Sequence, residues 1–319
     1  MAERSRAGRL RDRLLVERLG RLLPRGADAP AVRTAVVTDS AAGLLPEWIR
    51  TADARGGFAV VPLSIMAGDE IFADGPEAVA ALGIALAAGS PVRTSRPAPG
   101  VFERVFRQLA EAGYASIVSV HLSGALSGTA DAARLASERV DVPVHVVDTR
   151  TAGLAEGFAV QAATAAAAAG LDGGGVVAAV HEALAGSEVR FFLPSLEQLR
   201  RGGRIGAAAA WVGTVLAIKP LLAIRDGQIV PIERIRTSAR ALPRLRELSV
   251  EDARRRVNPQ LAVHYFGDRA EADGLAHELS GDLGCDTDVI VSPLPAVLAA
   301  HTGPGVLAIV VTGPLRDAR

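Results

Sequence analysis

Past a basic opening stretch, short runs of branched apolar residues alternate with longer runs rich in Ala and Leu. Thr34–Thr38 (TAVVT), Phe58–Leu63 (FAVVPL), Ser116–Val120 (SIVSV) and Val144–Val147 (VHVV) are apolar almost without a break. Strands buried on both faces read in this way, and such strands belong to parallel sheets. Glu77–Ala88 and Val101–Ala112 carry the spacing of helices between them, and the Ala-dominated run from Gly157 to Ala169 predicts another. The LDGGG stretch Leu171–Gly175 ends that helix. Strands alternating with helices predict an α/β fold with a parallel sheet.

The second half has a different pattern. Ser195 and Gln198 stand at capping-box spacing, so a helix should start there and end at Gly202 or Gly203. Leu221–Arg225 and Gln228–Ile232 flank Asp226-Gly227, the two-residue signal of a tight hairpin. Leu261–Phe266 and Val306–Val311 read as further strands, with helices over Thr237–Leu248 and Arg269–Leu283. The expected architecture is two α/β domains meeting in a ligand cleft, 31–170 and 171–319, with the join somewhere in 165–190. Residues 1–30 form a third segment. Within it Leu10, Leu14, Leu15, Leu19, Leu22 and Leu23 recur near helical spacing with Arg between them, which predicts a basic amphipathic helix. Such a helix could dock on the domain, bind a partner or second copy, or lie on a membrane surface. Arginines interrupt its apolar positions, so it is not a secretory signal, and a cytoplasmic location is expected.

Composition narrows the function classes. The 319 residues carry 35 Lys+Arg and 35 Asp+Glu, so there is no basic excess for general nucleic-acid binding. Aromatics are 4%, too few for a base-stacking platform. No run of about 18 residues escapes interruption by Gly, Pro or a charge, as a membrane span would require. Cys285 is the one cysteine, which excludes an internal disulfide or a Cys-based zinc cage. The histidines show no ligand spacing, so no metal site is expected.

Five segments could carry chemistry. Thr38-Asp39-Ser40 ends the first strand, where open α/β sheets bind ligands, although Asp39 and Ser40 could equally cap a helix. Thr94-Ser95 lies between Arg93 and Arg96-Pro97, which reads as a proline-bounded loop ahead of a helix. Ser123 to Thr129 (SGALSGT) links a strand to a helix, and its free backbone N–H groups suit a carboxylate or phosphate. No Lys follows Gly128, so it is not a Walker loop, and its spacing is not that of a nucleophile elbow. Arg200-Arg201-Gly202-Gly203-Arg204 reads as a glycine-ended helix and leaves open what Arg204 faces. His301-Thr302-Gly303-Pro304-Gly305 reads as a turn into the last strand, with a histidine beside small, rigid residues.

In this order the segments resemble the DegV family, which includes the fatty-acid-binding subunits of bacterial fatty acid kinase. The resemblance rests on Val37-Thr38-Asp39-Ser40, Thr94-Ser95 with Pro97, Leu126-Ser127-Gly128-Thr129, Leu196 through Ile205, Ile218-Lys219-Pro220 and His301 through Gly305. It runs from about Thr34 to Val311. It implies two α/β domains around one long-chain fatty acid, with no other cofactor. The carboxylate would be held by Thr94, Ser127 and His301, with Ser95 and Gly128 beside them and Arg236 behind. The chain would be non-catalytic and would present that carboxylate to a kinase subunit for conversion to an acyl-phosphate. Arg96 stands where the family usually has Gln, Gly124 where a second Ser is common, and Ala130 where Tyr is frequent. Two other classes remain open: a lipid-ester hydrolase using Ser127, His301 and Asp39 as a triad, and a phosphate or nucleotide binder using the glycine loops.

Overall fold

The computed structural model describes residues 33–211, 219–235, 237–284 and 287–315. The amphipathic segment 1–30, Ile218 and Arg236 lie outside them. β1 (Thr34–Asp39), β2 (Phe58–Val61), β6 (Ser116–His121) and β7 (Val144–Asp148) form an all-parallel sheet in the order β2-β1-β6-β7. Every residue of β1 and of β6 is buried, as their unbroken apolar runs require. Helices cover both faces. On one, α3 (Pro99–Glu111) and α4 (Thr129–Ser137) set Phe102, Phe106 and Ala133 against Ala35, Val37 and Ile117. On the other, α5 (Leu154–Ala168) and α6 (Gly173–Leu184) set Ala159, Val160, Ala163 and Val176 against Val36, Val118 and Val120. α1 (Pro46–Ala54) crosses from β1 to β2.

The predicted break at Leu171–Gly175 is also a start. Asp172 Oδ1 accepts the Gly175 amide at 2.8 Å and caps α6. The Ala-rich helix begins at Leu154, three residues before the apolar count suggested.

The second sheet has six strands in the order β10-β9-β8-β13-β11-β12. These are β8 (Glu188–Phe192), β9 (Lys219–Arg225), β10 (Gln228–Ile235), β11 (Gln260–Phe266), β12 (Val289–Pro293) and β13 (Val306–Thr312). Only β11 and β12 pair in parallel. Asp226-Gly227 turns the β9–β10 hairpin as predicted. Side chains alternate across this sheet. Leu221, Leu261, Leu307 and Ile309 pack under α8 (Ser238–Arg254) and α9 (Arg269–Leu283). Phe191, Leu222, Ala262 and Ala308 face the other way, into a core shared with the first unit.

Three elements between β2 and α3 escaped the sequence reading. β3 (Ser64–Ala67), β4 (Glu70–Ala73) and β5 (Val92–Ser95) make a small antiparallel sheet, order β4-β3-β5, with α2 (Pro76–Ala87) between β4 and β5 in the chain. Thr94 and Ser95 therefore end a strand and do not sit in a loop, which corrects the expectation. The expected turn at His301 is corrected too. His301 is in the last turn of α10 (Ala296–Thr302), and the turn begins only at Gly303. The remaining short helix, α7 (Glu197–Arg201), starts after Ser195, whose Oγ accepts the Glu197 amide at 3.2 Å. Among the described residues, no helix is long and apolar enough to cross a membrane.

Candidate functional site

A cavity of about 260 Å³ lies where the two units meet. Most of its wall is aliphatic: Leu63, Leu122, Leu126, Val189, Ile224, Leu294, Val297 and Val306 line it, and Phe191 is the one Phe, Tyr or Trp among the described lining residues. The polar residues come from four chain segments. β5 brings Thr94 and Ser95, followed directly by Arg96; the loop ahead of α4 brings Ser127 and Gly128. α10 brings His301 and Thr302, and the loop after α7 brings Arg204. The sequence expectation for Thr94, Ser95, Ser127, Gly128 and His301 therefore names residues that share one cavity. Arg236 lies outside the described residues.

Thr94 and His301 touch. Thr94 Oγ1 and His301 Nε2 are 2.8 Å apart, joining residues 207 positions apart in the chain. Burial, together with the nearby charge of Arg204, pulls the His301 imidazole down to about 4, so it is neutral at physiological pH. Gly202 makes room for the ring: a Cβ there would stand 2.1 Å from His301 Nδ1. α10 is held at its start by a carboxylate from the first unit, as Asp74 Oδ1 accepts the Ala296 amide at 2.8 Å.

The Ser127 corner has a different construction. Ser123 to Thr129 folds back on itself, with the Leu126 and Ser127 amides both donating to the Ser123 carbonyl at 3.0 Å. Ser127 Oγ and Thr129 Oγ1 are 2.8 Å apart. Gly128 is the N-cap of α4 and offers no side-chain cap, so the first N–H groups of that helix keep their donor capacity. Gly124 cannot carry a side chain, because a Cβ would lie 2.6 Å from Asp148 Oδ2. Its amide donates to Asp148 Oδ1 at 3.1 Å instead.

Sequence reasoning left Arg204 without an assignment. Its Nε donates to the Leu126 carbonyl at 3.0 Å and its Nη1 to the Gly202 carbonyl at 2.6 Å. It thus ties the α4 loop to the α7 loop across the cavity. No local pattern could have given this, because the partners are 78 residues apart. His264 also reaches the cavity wall. Its Nε2 accepts the Leu154 amide at 2.8 Å, and burial lowers the ring to about 4.

The triad considered for a hydrolase does not assemble. Asp39 is fully buried and its Oδ2 lies 2.9 Å from His121 Nδ1, while His121 Nε2 lies 2.7 Å from Ser119 Oγ. His301 is engaged with Thr94, and Ser127 with Thr129. Asp39 Oδ1 accepts the Ala41 amide at 2.9 Å, which is the capping role the sequence allowed it. Among the described residues, no group of three His, Cys, Asp or Glu side chains could hold a metal.

Comparison with known proteins gives consistent matches. The family model described as uncharacterised protein, DegV family, matches residues 33–313. The chain is similar to a DegV domain-containing protein of Streptomyces coelicolor, 42% identical over 279 residues, 87% of this chain and 98% of that one. Its fold is similar to a structure described as fatty acid binding of a DegV family protein from Thermus thermophilus. That match has a TM-score of 0.80 and 32% identity and covers 88% of this chain and 99% of that one. A structure described as DegV, a fatty acid binding protein from Bacillus subtilis, matches with TM-score 0.80 and 28% identity, covering 88% and 99%.

Proposed function

The chain belongs to the DegV family, and from that premise we propose that its cleft binds a long-chain fatty acid and presents the carboxylate to a separate kinase subunit. One observation carries the reading. Thr94, Ser127 and His301, from three separate segments, line the polar side of a cavity whose remaining wall is aliphatic. A carboxylate cannot be buried bare, and hydroxyls, a neutral imidazole and helix-start N–H groups are the donors it needs. Thr94 and Ser127 donate through their hydroxyls, Ser95 and Gly128 border them, and Arg236 stands behind the head group. The acyl chain lies along Leu122, Val189, Ile224 and Val297. Burying about 14 methylenes contributes roughly 11 kcal/mol gross at ~0.8 kcal/mol each. Association and ordering costs take back a large part of it.

In this reading the chain is a carrier and not an enzyme. Its sequence has no Walker spacing and no kinase signature, so nucleotide and Mg²⁺ come with the partner. The carboxylate faces the mouth of the cleft, where the partner's nucleotide reaches it, and the acyl-phosphate stays bound afterwards. The carrier works in the cytoplasm and exchanges acyl chains with a membrane surface. The test is incubation with ATP, Mg²⁺ and oleate, trapping acyl-phosphate as hydroxamate with hydroxylamine. Hydroxamate should form only when the kinase subunit of the same organism is added, and should be lost with Ser127→Ala. Protein-dependent hydroxamate without the partner would overturn the carrier reading.

A further inference from the structure

Charge at the cleft mouth exceeds what one carboxylate needs. Arg96 and Arg204 both line the cavity, and no Asp or Glu lines it among the described residues. Arg96 is exposed and has no ion pair or hydrogen bond to any described residue. Its guanidinium is packed on the start of α4: a Cβ on Gly128 would stand 2.3 Å from its Nη1. That is the positive end of a nine-residue helix, where a cation is disfavoured unless an anion lies beside it. The one acid in that first turn, Asp131, points instead to Arg134, with 2.6 Å between Oδ1 and Nη1. Arg204, with its Nε on the Leu126 carbonyl, closes the other side of the same loop. His301 is neutral and Thr94 and Ser127 carry no charge. The mouth therefore holds two fixed positive charges and a helix start, with nothing negative on its walls.

We propose that this mouth is a dianion subsite and that Arg96 sets its specificity, so that the cleft takes single-chain lipids with a phosphate monoester head in preference to plain carboxylates. A phosphate monoester carries about −1.5 to −2 charge at neutral pH and three acceptor oxygens. It balances both guanidinium groups, and each can meet it with charge-assisted hydrogen bonds. A carboxylate balances one and leaves Arg96 unanswered at the helix start. The inference rests on the fatty-acid reading, because the acyl slot must first accept a long chain.

The test is displacement of a fluorescent fatty acid from the delipidated full chain by hexadecyl phosphate, palmitate or inorganic phosphate. Hexadecyl phosphate should bind about tenfold or more tighter than palmitate. Arg96→Gln should erase that preference while palmitate affinity stays within about threefold and the ligand-free melting temperature is unchanged. Inorganic phosphate should not displace the probe at millimolar concentration. Equal affinities in the wild type, or a preference that survives Arg96→Gln, would overturn the dianion subsite alone. Displacement by inorganic phosphate would also overturn it, as a site for free phosphate. If neither hexadecyl phosphate nor palmitate binds, the fatty-acid reading itself falls.

Discussion

Gly202 shows how narrowly the site is built. Its backbone is ordinary, with φ −77°, so the demand is for space: the imidazole of His301 occupies what a side chain would fill. Gly202→Ala should displace His301 from Thr94 and weaken fatty acid binding about tenfold, read by titration, with a small change in ligand-free melting. Removing a buried donor to the carboxylate costs on the order of 1–3 kcal/mol. Thr94→Val and Ser127→Ala should each lose tenfold or more in affinity with little change in melting. If both bind like wild type, the head group lies elsewhere. A separate residue controls a pH response. Glu156 is fully buried, with Oε1 on the Thr38 hydroxyl at 3.3 Å. Burial, then the charge of Asp39, pushes its carboxyl well above the usual range. A raised folded pKa means stability is complete below the unfolded value, about 4.5, and is lost as pH rises through the folded one. Glu156→Gln should therefore gain melting temperature over wild type progressively from pH 5 to pH 9. A difference flat with pH would refute the assignment. At this scale the sequence displayed the hydroxyls and His301, because they sit in recognisable segments. Arg204 became interpretable only once the fold set it against Leu126.

The elements were legible where their burial was uniform. β1 and β6 are buried on both faces, so their apolar runs were continuous, and Asp226-Gly227 marked its hairpin by turn chemistry alone. β3, β4 and β5 are four residues each, and β4 and β5 are half-buried or exposed throughout, which leaves no clear period to read. β5 matters most, because it carries Thr94. α10 was missed for another reason. It has seven residues, opens at Pro295 and is capped by a residue 222 positions away, so no local signal marks it. That distant cap gives a prediction. Asp74→Ala should lower stability by about 0.5–2 kcal/mol, as the loss of a cap does. It should also weaken fatty acid binding, because α10 carries His301. A melting shift with binding unchanged would mean α10 holds its place without Asp74.

At the scale of the whole molecule, the two units close on the cavity through contacts distant in sequence. Ser123 Oγ donates to the Gly227 carbonyl at 2.7 Å, Arg150 reaches Asp226, and the Leu154 amide meets His264. All of these lie after residue 33. Deleting residues 1–29 should therefore leave fatty acid binding intact, and loss of binding by a folded truncated chain would put that segment in the pocket. A ligand held between two units also stabilises their closure by mass action, by about 2.7 kcal/mol at a hundredfold excess over Kd. The central claim is that the aliphatic cleft holds a long-chain fatty acid, and the most direct measurement is organic extraction and mass spectrometry of the purified protein. The account predicts a long-chain fatty acid in near-stoichiometric amount, and its loss with Ser127→Ala. A protein that comes out empty, and whose melting does not move with any long-chain acid added back, would contradict it.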